Sequence, residues 1–477
     1  MKISITIPTI NRVDLLYECL EPILKHRDIF ERIYIIDNGK QDLSKIIPLC
    51  KGQNVEFFLS PENLGVAGSW NEGIRYLKSD SHWVFILNDD IVLSEESILQ
   101  LPALVKKNRG KWLITSECSY SAFLVNMHCL EHMEYSPDKY FDEAFYPAYC
   151  EDVDFEWRIK LIDPFRLLKN VSELNPKVYR RKGSTEADPT LNKYKEVRSH
   201  FVEKWGRGPR KPKYVIPFNG TKPWPENGEE EMHIQVAVQC HYYQKRLCWM
   251  LSSMLRQALP KNMHISMSIA YVEGTGNPST EEVIDYFKEQ GLDVKGVSYP
   301  DTTEFQYRGW TRNKQLEQCD ADWILFADCD MIYPPNFFNV AYTQLQLDKY
   351  KDNPHCLHSG RYSTTLNETE DLVNSYEYPC VIENTTNLVQ YLPGKHMANI
   401  GAGFCQLVNV KLVKESDTPY YCEPGKKIDY SYDKFHKTKS DQRFRRRLGR
   451  EKIPLPLQYH LQHLRDNEVG YHIELQR

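Results

Sequence analysis

At 477 residues the chain is about three times the length of a typical domain, which excludes a single small module. With 41% hydrophobic and 26% charged residues it can fill cores and keep a surface wet, so neither general disorder nor a membrane bundle fits. Lys and Arg number 60 against 65 Asp and Glu, and the net charge of −5 argues against a surface built throughout to hold polyanions.

Residues 3–7 alternate as a strand. Leu15, Leu16, Cys19, Leu20 and Ile23 form a helical stripe, and residues 32–36 make a second strand that stops at Asp37. A further apolar run, Trp83-Val84-Phe85-Ile86-Leu87, ends in Asn88-Asp89-Asp90. Periodicity lapses between Asn219 and Met232, where Gly220, Pro223, Pro225, Asn227 and Gly228 precede three glutamates. The expected division is a domain at 1–220, a linker at 221–232 and a domain at 233–477. Beyond the linker the order returns: a strand at 234–238, a stripe at Leu247, Met250, Leu251, Met254 and Leu255, and a strand at 265–272 ending at Glu273. Trp323-Ile324-Leu325-Phe326-Ala327-Asp328-Cys329-Asp330 repeats the acid-terminated run, with Trp323 and Asp330 each 240 positions after Trp83 and Asp90. Strands alternating with helices imply two α/β domains with mostly parallel, doubly wound sheets, in which ligands sit beyond the carboxyl ends of the strands. Asp37, Asp90, Glu273 and Asp330 all fall at such ends.

The 13 cysteines are odd in number, with no Cys-x-x-Cys pair and no compact Cys/His cluster of zinc spacing, so they read as reduced thiols. The first residues run straight into a strand without a signal-peptide segment, and no apolar run approaches bilayer length. A cytoplasmic chain without a membrane span is the expectation. Asp328 and Asp330, spaced i and i+2 on an extended segment, point to one side and can present oxygen ligands to a hard divalent cation. A solvated strand-to-loop turn is the alternative for the same pattern.

Thr9-Ile10-Asn11-Arg12, Asp37-Asn38-Gly39, the run from Asn63 to Ile74 and Asn88-Asp89-Asp90 resemble, in that order, the N-terminal signature of the family 2 glycosyltransferases, which have a GT-A fold. Tyr140-Phe141-Asp142-Glu143, leading to Glu151-Asp152-Val153-Asp154, and Glu203-Lys204-Trp205-Gly206 further on resemble the rhamnosyltransferase-like branch of that family. In the second half Arg308-Gly309-Trp310-Thr311-Arg312-Asn313, Asp328-Cys329-Asp330, Gly401-Ala402-Gly403-Phe404, Ser440-Asp441-Gln442-Arg443-Phe444 and His460-Leu461-Gln462-His463 follow the family order. The resemblance implies two tandem GT-A, nucleotide-diphospho-sugar transferase domains.

It further implies transfer from a UDP-, dTDP- or GDP-sugar to a hydroxyl on a glycan, a lipid-linked acceptor or a modified nucleobase. Donor binding is expected from Pro8, Thr9, Asn11, Arg12, Asp37, Asn71, Asn88 and Asp89 in the first half, and from Glu273, Arg312, Asn313 and Asp328 in the second. Asp90 and Asp330, with His460, are the expected ligands of Mn2+ or Mg2+. Asp152 and Asp441 are the expected general bases, and Glu151, Asp154, Gly403, Phe404 and Ser440 are expected on the acceptor side. Direct displacement assisted by one base inverts the anomeric carbon. Helix capping is the structural alternative for Glu151, Asp152 and Asp154, and a surface charge beside the acids that for Arg312.

The two halves depart differently from the family pattern. In the first, Asn88 replaces the leading acid and the segment Val178-Tyr179-Arg180-Arg181-Lys182-Gly183-Ser184 has no histidine, so its metal site is expected to be the weaker. In the second, Gln239-Cys240-His241 replaces a Pro-Thr turn. Basic stretches at Lys204, Arg207, Arg210, Lys211 and Lys213, and at Arg443, Arg445, Arg446, Arg447, Arg450 and Lys452, are either solvated charge or a face for an anionic acceptor. Nucleic acid, as in viral DNA-base glycosylation, stays open without being favoured, because no groove-reading helix or stacking platform accompanies them. Three readings follow: a bifunctional transferase, a chain with one catalytic half and one scaffold or acceptor-binding half, and a non-catalytic carbohydrate binder.

Overall fold

The computed structural model describes residues 1–179, 191–222, 224, 230–305, 308–357, 361–363, 371–383, 385, 405–415, 448, 451–453, 455 and 458–460. The chain divides into two units, Met1–Asn219 and Gly220–Arg477. In the first, β1 (Ile3–Thr9), β2 (Ile33–Asp37), β3 (Val55–Leu59) and β4 (Trp83–Leu87) form the parallel part of a sheet. Further along the chain come β5 (Ile91–Leu93), β6 (Leu113–Ser116), β7 (Ser119–Asn126), β8 (Leu167–Val171) and β9 (Pro176–Tyr179). The main sheet runs β3-β2-β1-β4-β7-β6-β8, and β7 pairs antiparallel with β4.

Alternation divides the strand side chains between two cores. Ile33, Ile35, Phe85 and Leu87 pack with α1 (Val13–Lys25) and α3 (Glu95–Lys107), which contribute Leu16, Leu20, Ile98 and Leu101. Tyr34, Ile36, Val84 and Ile86 pack on the other face with Trp70 and Ile74 of α2 (Gly65–Leu77) and Phe155 and Ile159 of α5 (Glu151–Ile162). A strand buried on both faces reads as a near-continuous apolar run, and β2 and β4 are buried throughout, with Asp37 the charged residue that ends β2. Ser94 caps α3 by accepting from the Ser97 amide at 3.1 Å, with Glu95 and Glu96 in the first turn and Lys106 and Lys107 in the last, as the helix dipole favours.

The second unit repeats this plan. It contains β10 (Met232–Cys240), α7 (Gln244–Leu255), β11 (Met263–Val272), α8 (Thr280–Glu289), β12 (Val294–Tyr299), α9 (Arg308–Glu317), β13 (Trp323–Ala327), β14 (Met331–Ile332) and α10 (Phe337–Leu345). Strands β15 (His355–Leu357), β16 (Arg361–Ser363), β17 (Cys405–Asn409), β18 (Glu451–Lys452) and β19 (Gln458–His460) complete it. The sheet order β12-β11-β10-β13-β17-β15-β18 is that of the first sheet position for position, with β17 antiparallel to β13 as β7 is to β4. The two units are tandem α/β domains built on one strand order.

The repeat reaches single residues. Trp83 pairs across the sheet with Ile3 and Asn126, and Trp323 pairs with Ile234 and Asn409. Both asparagines then cap a short helix. Asn126 accepts from the His128 amide at α4 (Met127–Met133), and Asn409 accepts from the Leu412 amide at α11 (Val410–Lys414). Directly before the stretch expected as a linker, Gly220 accepts from the Lys261 amide, and within it Glu230 pairs with Lys351, so both are tied to the second unit. Among the described residues no helix is long and apolar enough to cross a membrane.

Candidate active site

The carboxyl ends of β1, β2 and β4 converge because their register aligns them: Thr9 pairs with Asp37, and Thr6 with Ile86. Three residues beyond Thr6 and Ile86, the Thr9 hydroxyl donates to an Asp89 carboxylate oxygen at 2.7 Å. Asp37, only 1% exposed, accepts from the amides of Gly39 at 2.9 Å and Gln41 at 3.1 Å, so it shapes the loop over the rim. Gln41 extends that loop, donating to Thr9 Oγ1 at 3.0 Å and accepting from the Arg12 amide at 2.9 Å. The sequence reading passed over Gln41, whose only signal was its place directly after Asp37-Asn38-Gly39. Asn11, with a left-handed φ of 54°, packs against Gly39, where a Cβ would meet Asn11 Oδ1 at 2.5 Å.

Asp90 is partly exposed and Asp89 buried. Burial is the main cause that pushes the Asp89 carboxyl up to about 7; the charge of Asp90 adds to it, while Thr9 and Arg12 oppose it. The Arg12 guanidinium pairs with Asp14 at 3.2 Å and also feels Asp89 and Asp90. Asn88 is partly exposed and its amide is tied to the Ser121 carbonyl at 2.9 Å. Pro8 lies in β1, paired with Ile36.

Asn71 takes a different place from the one expected. Its amide donates to the Phe141 carbonyl at 2.8 Å and to Glu143 at 3.0 Å, and its oxygen accepts from the Tyr140 and Phe141 amides at 3.1 and 2.9 Å. Fully spent in this way, it latches α2 to residues 140–143 and offers nothing to a donor. Asp154 also needs correction as an acceptor-side residue. It is fully buried and bound by Arg158 at 2.9 Å, Trp205 Nε1 at 2.8 Å and Lys204 at 2.7 Å. Lys204, itself fully buried, also holds Asp142 at 2.5 Å, which keeps that carboxyl well below the ordinary range despite its burial. Lys204 therefore leaves the basic stretch and belongs to an internal ion network linking α6 (Tyr194–Trp205) to α5.

At the start of α5, Cys150 is left-handed with φ 70°, and Glu151 and Asp152 follow. Asp152 is partly exposed; burial pushes it up to about 6, the Val153 amide at 2.8 Å opposes this, and Glu156 adds to it. Glu151 is buried, its Oε2 has no hydrogen-bond partner among the described residues, and burial followed by the Asp152 charge lifts it well above the ordinary range. Two neighbours on one chain segment connect this helix start with the strand-end acids: the Cys118 thiol feels Asp90, and the Tyr120 phenol feels Asp152.

In the second unit Asp328 is partly exposed and Asp330 buried, with the Cys329 thiol between them. Hydrogen bonding to the Cys240 thiol and burial push Cys329 well above its usual value. Arg312 is 2% exposed with its guanidinium 5.3 Å from the Phe326 ring, so it is not a surface charge. The arginine beside the acids is Arg308, one turn earlier, 3.7 Å from Asp328. Asn313 is buried on the same helix, and Glu273 is exposed beyond β11 with its amide on the Tyr299 carbonyl. Gly403, Phe404, Ser440 and Asp441 lie outside the described residues, as do Arg180, Arg181 and Lys182.

One register feature separates the units. Met331, directly after Asp330, pairs with His460; Ile91, directly after Asp90, pairs with Tyr179. The backbone position that carries histidine in the second unit carries tyrosine in the first. Two carboxylates are a donor set suited to Mn2+ or Mg2+, and the pairing of Met331 with His460 brings the His460 backbone next to the residue that follows Asp330. Among the described residues no three His, Cys, Asp or Glu side chains converge on a metal position.

Residues 4–121 match the family model described as glycosyl transferase family 2. Uncharacterized glycosyltransferases of Rickettsia bellii and Rickettsia felis are 31% and 28% identical over 121 residues, or 25% of this chain. The matched stretch spans only 17% and 19% of those relatives' lengths. Among solved structures, Staphylococcus aureus TarS 1-349 in complex with UDP-GlcNAc is 15% identical with a TM-score of 0.33, over 49% of this chain and 59% of its own. The Pyrobaculum calidifontis mannosyltransferase PcManGT, in complex with GDP-Man and Mn2+, is 10% identical with a TM-score of 0.33, over 52% of this chain and 61% of its own.

Proposed function

We propose that this chain, whose residues 4–121 match glycosyl transferase family 2, is a bifunctional inverting glycosyltransferase that moves sugars from nucleotide-sugar donors to acceptor hydroxyls. The observation that carries this reading is the doubled sheet, with identical strand order and acids at the same strand ends, Asp89 and Asp90 in one unit and Asp328 and Asp330 in the other. A site for a nucleoside diphosphate is favoured at the carboxyl ends of such strands.

In the first unit Thr9, Asn11, Arg12 and the loop shaped by Asp37 and Gln41 would line the donor side. Asp152, with a value of about 6, is mostly ionised at neutral pH and basic enough to take the acceptor hydroxyl's proton as its oxygen attacks the anomeric carbon. The bond from that carbon to the diphosphate breaks on the opposite face, which gives inversion. In the second unit Asp441 would take the base's role, and Asp328, Asp330 and His460 would hold Mn2+ or Mg2+. A divalent cation there would neutralise charge on the departing diphosphate. Arg308 beside Asp328 adds positive charge on the same side. A UDP-, dTDP- or GDP-sugar is the donor class, and a glycan or other hydroxyl compound the acceptor, with anionic acceptors ahead of nucleic acid.

The test is nucleoside-diphosphate release across these donors for the wild type, Asp152→Asn and Asp441→Asn. Each substitution should abolish a different transfer; loss of both transfers by either one would overturn the bifunctional reading. A second reading, in which only the second unit catalyses, draws on Tyr179 standing where the other unit has His460. A silent Asp152→Asn would select it. Absence of any turnover across the donors with Mn2+ would leave a carbohydrate binder.

A further inference from the structure

Asp152 does not stand alone on its helix. Glu156 follows one turn later on the same face, the spacing at which helical side chains meet. Its carboxylate is buried and held from three directions: by the Tyr120 phenol of β7, by Lys169 of β8 at 2.9 and 3.1 Å, and by Lys160 at 2.5 Å. These partners bind the anion, so Glu156 is kept below the ordinary carboxylate range although burial opposes this. The charge is therefore fixed in place beside Asp152 instead of being free to protonate or swing away.

We propose that Glu156 is a positioning residue that adds to the basicity of Asp152, with Tyr120, Lys160 and Lys169 as the clamp that keeps its charge in place. The inference rests on Asp152 as the base of the first unit. The groups facing Asp152 are Glu151 and Glu156 on its own helix, Tyr120 from β7 and Lys169 from β8, with Arg198 of α6 reaching Cys150 beside it. Glu151 stays protonated well beyond the ordinary range and is the weaker source of negative field. Glu156 raises Asp152 by like charge and Lys169 opposes it. Burial is the larger cause that lifts Asp152, and the fixed charge of Glu156 adds to it, so the base is held near the working pH, where proton transfer is most effective.

The experiment follows Asp152 directly, by carboxyl carbon resonances of the full chain labelled at aspartate, with Asp152 assigned by its loss in Asp152→Asn. In parallel, the acid limb of kcat/KM against pH is recorded for the transfer that Asp152→Asn abolishes. Glu156→Gln should lower the Asp152 midpoint by about half a unit to one unit, and the acid limb should move with it. Glu156→Asp, which keeps the charge, should return most of the shift, and Lys169→Met, at an exposed side chain, should move the midpoint upward. An unchanged or raised midpoint in Glu156→Gln overturns the proposal. Glu156→Met, which also removes the charge, decides the matter in the same way if Glu156→Gln does not fold. If the midpoints shift as stated while Asp152→Asn leaves every transfer intact, the base assignment fails and the electrostatic coupling stands.

Discussion

Asp152, the proposed base of the first unit, carries a raised value at the expense of stability. Its folded value of about 6 lies above the value of about 3.9 for an unfolded aspartate, so the native state holds the proton more tightly. The resulting penalty is absent below pH 4, grows between about pH 4 and pH 6, and is complete above that. Asp152→Asn should therefore melt higher than the wild type at pH 8 and at the same temperature at pH 4, as measured by thermal unfolding. At the rim, Gly39 makes a steric prediction. A Cβ there meets both the Asn11 side chain at 2.5 Å and its backbone nitrogen at 2.9 Å, so the neighbour cannot simply rotate away. Gly39→Ala should cost about 1–3 kcal/mol of stability and raise the donor KM more than it lowers kcat, because it moves the loop that Asp37 holds.

Between elements, the strongest link near the site is α6 against α5. Lys204 reaches Asp142 and Asp154 in a buried place, and removing one partner of a buried pair strands the others. Lys204→Met should destabilise the first unit by about 3–5 kcal/mol, read by urea unfolding at pH 7. Acid weakens the same link: Asp142 is depressed, so its contribution is present above about pH 4 and is lost as pH falls below it. Sequence reasoning placed Lys204 in a basic stretch, as solvated charge or a face for an anionic acceptor, because spacing reports which face of a helix a residue occupies and not what waits there. Its partner Asp142 is 62 positions away, and that distance is bridged only by the fold. Asn71 was misread for the same reason, since a polar residue near a helix start looks alike whether it meets a ligand or, as here, the carbonyl of Phe141. Arg308 and Arg312 lie one turn apart on α9, and only packing against Phe326 distinguishes the buried one from the one beside Asp328.

Across the whole chain, the repeat was legible because it is written in features that sequence carries faithfully: strand-length apolar runs, their acidic ends and the Trp that opens each of them. Trp83 and Trp323 do occupy equivalent register positions, and the sheets have one strand order. What sequence did not carry was the lateral register that pairs Tyr179 and His460 with the residues directly after Asp90 and Asp330, because strand pairing joins segments far apart in the chain. That difference predicts unequal metal use. With Asp441→Asn isolating the first transfer and Asp152→Asn the second, EDTA should abolish the second and have it restored by Mn2+, while the first loses less. Equal loss in both would remove the distinction drawn from Tyr179.

Thr9 with Asp89, and Cys240 with Cys329, stand three residues beyond the paired positions Thr6 and Ile86 in one sheet and Ala237 and Phe326 in the other. One seat holds a hydroxyl donating to a carboxylate, the other two thiols in contact. The polypeptide thus carries its own internal control: two copies of a single architectural address, furnished with different functional groups and present at strictly equal concentration in every assay. Transplanting Thr and Asp into the thiol seat asks what that furniture contributes while the other copy, in the same tube, reports everything that has not changed.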